Sequence, residues 1–189
     1  PPITVTREMI AAEVERLADI SRPANGRRQT LIVHPSAPTP GRGLTPGVQV
    51  TIDVLKPGEA TAPIRHNSTQ VNFCIRGSGR TLVGDREIRF AQHDVWNHPA
   101  YSTYVHTNDG NDLQVRLTYS NAALLEMMRV HIVDENPQAA ANAPARDTDP
   151  RRRNPFGTFA LGTDGAELMP YEILINPPAV QSRALHWPW

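Results

Sequence analysis

The sequence predicts an all-β fold with peripheral helices: a single antiparallel barrel or jelly roll, preceded by an N-terminal helix and followed by an extended C-terminal arm. Three observations predict it. Short runs of alternating apolar and polar residues fill positions 48–119. Turn residues such as Lys56-Pro57-Gly58-Glu59, Gly77-Ser78-Gly79 and Gly84-Asp85 separate them. Twelve of the 18 prolines fall in 35–46 and 137–188, which marks those stretches as extended connections rather than core.

In chain order, Thr6 is placed to cap a helix over 7–20. Ile10, Val14 and Leu17, with Met9 beside them, share one face of it, while Glu8, Glu13, Glu15 and Arg16 lie largely elsewhere. Pro23 and Gly26 stop it, and a strand over 29–34 ends at Pro35. The next strand, 48–55, alternates as a half-buried strand should. Strands follow at 71–75, 80–83, 87–90, 93–97, 101–106 and 113–119. Asn121 then caps a helix over 122–128 whose Leu124, Leu125 and Met128 are expected to pack back onto a sheet. Residues 1–47 thus form a helix and arm, 48–133 the barrel, and 134–189 a linker and arm. That last segment ends in Trp187 and Trp189 and is expected to pack on the barrel or on a partner.

Composition removes several classes of function. At 189 residues the chain supports one well-buried core. Its 19 basic and 19 acidic residues balance, so no field attracts nucleic acid or an anionic membrane. Arg151-Arg152-Arg153, among Asp147, Asp149, Pro150 and Pro155, reads as a solvated loop. No apolar run approaches the roughly 20 residues that span a bilayer, and the first residues lack a secretory pattern. A soluble cytoplasmic protein is expected. Cys74, the one cysteine, excludes an internal disulfide and is expected to be a small buried apolar group.

The chemistry-bearing residues lie in two stretches. The first contains Gly58, Ile64, His66, Gln70, Asn72 and Gly77; the second contains Asp94, His98, Pro99, Tyr104, His106 and Asn108. This pattern resembles the two motifs of the cupin superfamily. In those motifs a His-x-His pair, a Glu and a later His present their side chains to one side, so that all reach a single ion inside the barrel. By that resemblance Ile64 stands at the first histidine, His66 at the second, Gln70 at the glutamate and Tyr104 at the third histidine. Ile64 has no donor atom, Gln70 is a weak neutral ligand, and Tyr104 would need to lose a proton of pKa near 10. His66 and His106 are then the only imidazoles left to hold a metal, fewer than the three ligands of an iron facial triad. The reading is therefore no metal or other cofactor in this chain, with His66, Gln70, Asn72, Tyr104 and His106 lining the former site. His66 is expected to be a core histidine bonded to Gln70, Tyr104 or a carbonyl. His93 and His98 are read as surface residues of the barrel rim.

One branch matches more closely. Arg27-Arg28, His34-Pro35 and Pro63-Ile64-Arg65-His66 are similar to the N-terminal cupin of gentisate- and salicylate-type ring-cleaving dioxygenases. The last eight residues, Ser182-Arg183-Ala184-Leu185-His186-Trp187-Pro188-Trp189, resemble the segment by which those enzymes enter a second barrel. With one degenerate cupin in place of two, the chain looks most like the small-subunit family of two-component hydroquinone 1,2-dioxygenases. That resemblance implies a larger cupin dioxygenase subunit as partner, carrying Fe(II), while this chain is not catalytic on its own. Two other readings stand beside it. One is a stand-alone enzyme using Tyr104 or His106 as acid or base. The other is a module that binds a small aromatic ligand without chemistry.

Overall fold

The computed structural model describes residues 2–137, 159–160, 167–168 and 184–189. The chain divides into two compact units, Pro1–Pro137 with Arg183–Trp189, and Gln138–Ser182. The first unit holds helix α1 (Arg7–Asp19) and strands β1 (Arg28–Ile32), β2 (Gln49–Leu55), β3 (Arg65–His66), β4 (Gln70–Arg76) and β5 (Gly79–Val83). They are followed by β6 (Arg86–Phe90), β7 (Val95–His98), β8 (Tyr104–Thr107), β9 (Gln114–Ser120), helix α2 (Ala122–Met127) and β10 (Val133–Asp134). The second unit contributes the antiparallel pair β11 (Phe159–Ala160) and β12 (Glu167–Leu168). Strand β13 (His186–Trp187) returns to the first unit. Arg151–Arg153 and most of the expected C-terminal arm lie outside the described residues.

The β-rich architecture is the predicted one. A six-stranded sheet runs β1-β2-β9-β4-β7-β13, and a three-stranded sheet runs β6-β5-β8. A short pair, β10-β3, completes the unit. Side chains of the two larger sheets meet: Phe90 of β6 stacks on Trp96 of β7 with ring centroids 3.9 Å apart. Around them Ile64, Cys74, Val83, Ile88, Tyr104 and Ala184 form one buried cluster. The turn from β4 to β5 needs Gly77, which has φ +80° and backs onto the Leu113 carbonyl, where a Cβ has no room.

A second apolar cluster lies on the opposite face of the six-stranded sheet. Thr6 Oγ1 accepts the Met9 N–H at 3.3 Å, which starts α1 where the sequence predicts. The helix then presses Val14 and Leu17 onto Ile52, Val54 and Val115, while Met9 is left exposed. The alternation of β2 is thus real, but its Ile52 and Val54 are covered by helix α1 rather than by the barrel interior. Thr51 and Asp53 look into the interior instead.

Helix α2 differs from expectation. Its buried residues are Ala122 and Ala123, whereas Leu124 and Met128 are exposed. The reason is a close approach. Gly41, at φ +92°, passes so near the helix that a Cβ there would lie 2.7 Å from the Ala123 carbonyl oxygen. Small residues therefore face inward, and the large ones turn out. Asn121 precedes the helix, but its side chain accepts the Thr69 N–H at 2.9 Å instead of capping it.

The C-terminal strand is pinned by Asp94. One carboxylate oxygen accepts from His186 Nε2 at 2.9 Å, and the other accepts the Trp189 N–H at 2.8 Å. Against the opposing effect of burial, the Ala91 N–H, which donates to Asp94 Oδ2 at 3.0 Å, and then Trp189 and His186 hold the Asp94 carboxyl below its usual range. Asn97 Oδ1 accepts the Leu185 N–H at 2.5 Å, which extends the anchor by one residue. Trp187 and Trp189 remain exposed.

Candidate functional site

The interior between the two sheets is polar because adjacent strands turn their polar sets the same way. Asp53 of β2 is the direct register partner of Arg116 on β9, and Asn72 of β4 is the partner of Thr118. Gln70, Tyr104, His106, Arg116 and Thr118 line one cavity of about 100 Å³, together with Thr51 and Asp53. Of the predicted site residues, Gln70, Tyr104 and His106 lie on that cavity. His66 and Asn72 connect to it through hydrogen bonds.

The protons of the buried network can be assigned. His66 Nδ1 faces the Ser68 carbonyl at 2.9 Å, so that nitrogen carries the hydrogen. Its Nε2 therefore accepts the Tyr104 phenol proton, at 3.0 Å. Trp96 can only donate, and its indole N–H points at His98 Nε2 at 3.2 Å. His98 then carries its hydrogen on Nδ1 and donates it to Gln70 Oε1 at 3.1 Å. Asn72 bridges the network, its Nδ2 lying 3.4 Å from His98 Nε2 and its Oδ1 accepting from Thr118 Oγ1 at 3.1 Å. His106 Nδ1 pairs with Thr81 Oγ1 at 2.7 Å.

His98 corrects the sequence reading. Far from lying on the rim, it is fully buried, with its ring 4.2 Å from Tyr104 and 5.0 Å from His106 between centroids. Strand β7 is displaced relative to the expected 93–97 and ends at His98, and the pairing of His98 with Gln70 in register turns both side chains inward. His93 is exposed as expected. Arg116 and Asp53 were not singled out by sequence reasoning either. Their signal was present as the shared face of Gln114, Arg116 and Thr118 opposite that of Gln49, Thr51 and Asp53.

Electrostatics follow from burial. Loss of water pushes the imidazole of His66 below its ordinary value, and those of His98 and His106 well below. The positive charge of Arg116 acts in the same direction on His98 and His106. Burial pushes the Tyr104 phenol up to about 12 and the Cys74 thiol up to about 11. All of these groups are therefore neutral near pH 7. Neither Tyr104 nor His106 is poised to exchange a proton there, which weighs against the acid–base reading.

No family model matches the chain. Its sequence is similar to that of 5-nitrosalicylic acid 1,2-dioxygenase from a Bradyrhizobium species, at 29% identity over 104 residues, or 55% of this chain and 50% of that protein. The structure is similar to salicylate 1,2-dioxygenase from Pseudaminobacter salicylatoxidans, with a TM-score of 0.64 and 17% identity, covering 72% of this chain and 39% of that one. A substituted form of the same enzyme gives 0.63, with 73% of this chain and 40% of that one covered. The chain has a cupin fold. It spans about half the length of the curated relative it matches, and its similarity is to cupin ring-cleaving dioxygenases of the salicylate type.

A cupin dioxygenase fold raises the question of iron, and the donor set here does not fit it. A ligating imidazole must offer a free lone pair. That of His66 Nε2 is occupied by the Tyr104 proton, and that of His98 Nε2 by the Trp96 proton, so that His106, paired through Nδ1 with Thr81, is at most one imidazole ligand. Ile64 brings no donor, and Tyr104 holds its own proton. Among the described residues no three His, Cys, Asp or Glu side chains are placed to share an ion.

Proposed function

We propose that this chain is a metal-poor cupin subunit of a ring-cleaving aromatic dioxygenase, with iron and the ring-opening chemistry on a larger cupin partner. The observation that carries this reading is the hydrogen bond from the Tyr104 phenol to His66 Nε2. These two residues stand where the resembled enzymes place histidine ligands, and here they satisfy one another instead. Similarity to a salicylate-type dioxygenase supplies the reaction class. The resemblance of its degenerate cupin motifs to the small-subunit family of two-component enzymes points to hydroquinone as the aromatic substrate. Exposed Trp187 and Trp189, on a strand anchored by Asp94, are aromatic groups of the kind that dominate subunit interfaces.

The test is co-expression with the products of its neighbouring genes, followed by assay of hydroquinone and gentisate cleavage. Activity confined to the co-purified pair, and retained in that pair when His66 is replaced by alanine, is the expected outcome. A chain that never associates with the partner contradicts the proposal, and so does turnover by the isolated chain.

A further inference from the structure

Arg116 is 3% exposed, yet its Nε and Nη1 have no hydrogen-bond partner. A guanidinium carries five N–H donors, and leaving a buried one unsatisfied is costly. Its register partner Asp53 acts on it electrostatically, but the two make no ion pair within 4 Å. Asp53 instead accepts from Thr51 Oγ1 at 2.7 Å. Arg116 lines the cavity of about 100 Å³ described above, and Arg27 and Arg28 border it. Arg28 is neutralised by its ion pair with Glu59. Arg27 and Arg116 against Asp53 leave one net positive charge around the cavity.

We propose that Arg116 anchors a short aliphatic monocarboxylate, of the hydroxy- or oxo-acid class, in this cavity. The net charge matches a monoanion and not a dianion. A planar carboxylate matches the geometry of a guanidinium, which a halide does not. The size favours a short acid over an aromatic one, since an enclosed cavity that takes a benzene ring measures about 150 Å³. Ser120 and Gln49 on the remaining wall keep an O–H and an N–H to donate to an oxygen on the second carbon of the acid, while Thr51 and Thr118, whose hydroxyls already donate to Asp53 and Asn72, can accept from a hydroxyl there. The proposal does not depend on a partner subunit or on where iron resides.

The experiment is titration of the ¹⁵N-labelled chain in chloride buffer with lactate, pyruvate, benzoate and inorganic phosphate, following the arginine Nε–H resonances. One Nε–H resonance is expected to shift saturably with lactate or pyruvate and not with benzoate or phosphate. Arg116→Lys identifies it by removing that resonance, and is expected to weaken binding about tenfold or more. Should that variant not fold, Asp53→Asn provides an independent arm, because losing the competing carboxylate should tighten binding severalfold. The proposal is overturned if no resonance shifts with the aliphatic acids. It is equally overturned if benzoate or phosphate binds as well as lactate, or if Asp53→Asn leaves the affinity unchanged.

Discussion

The hydroxyl of Tyr104 and the imidazole of His66 share one hydrogen in a buried setting, so the effect of breaking that bond can be stated in advance. Tyr104→Phe keeps the ring but leaves His66 Nε2 without a donor, and should cost about 1–3 kcal/mol in urea unfolding. His66, His98 and His106 also make stability depend on pH. Each has a folded pKa depressed below its ordinary value of 6.5, so the unfolded chain binds more protons between the two values. Their contribution is therefore fully present above about pH 6.5 and is lost as pH falls below it. Glu59 and Asp94 are depressed from values of 4.5 and 3.8, so their contributions are lost only at lower pH. Urea midpoints should fall steeply from pH 7.5 to pH 5.5, and His98→Gln should flatten that slope. An unchanged midpoint across this window would mean that the three imidazoles are not buried in neutral form.

Two elements attached to the six-stranded sheet have separable roles. Helix α1 covers the sheet's outer apolar face through Leu17, which is 1% exposed, and Leu17→Ala should cost roughly 2–5 kcal/mol. Since that cluster lies on the face away from the cavity, the arginine Nε–H spectrum should persist as long as the variant folds. Strand β13 hangs on Asp94, and Asp94→Asn removes the charge that His186 and the Trp189 N–H share. Amide exchange at His186, Trp187 and Trp189 should accelerate in that variant, while the amides between β4 and β9 stay protected. Equal acceleration in both places would show that Asp94 supports the whole sheet and not this strand alone.

For the whole molecule, turn chemistry and alternation made most of the fold legible. Thr6, Gly77 and the short apolar runs marked helix α1 and strands β2 and β4 to β9 within a few residues. What period-two alternation does not reveal is which face of a strand lies inside. The apolar face of β2 went to a helix, and the polar face, with Asp53 opposite Arg116, went to the interior. Single residues were read less well for the same kind of reason. His98 beside Pro99 looked like rim, because only the register with Gln70 turns it inward. Leu124 and Met128 looked like core, because the close approach of Gly41 to α2 is a tertiary fact. The short β3–β10 pair, joining residues far apart in sequence, left no local signal at all. By contrast, Gln70 and Tyr104 stood out in the sequence, and the structure adds where their hydrogen bonds go.

The most direct measurement is an anaerobic Fe(II) titration of the isolated chain, freed of any affinity tag, with elemental analysis after desalting. With His66 and His98 occupied as acceptors and Tyr104 protonated, retained iron should be far below one atom per chain. Retention near one atom per chain, lost on His66→Ala, would contradict a metal-poor cupin and make this barrel a metal centre in its own right.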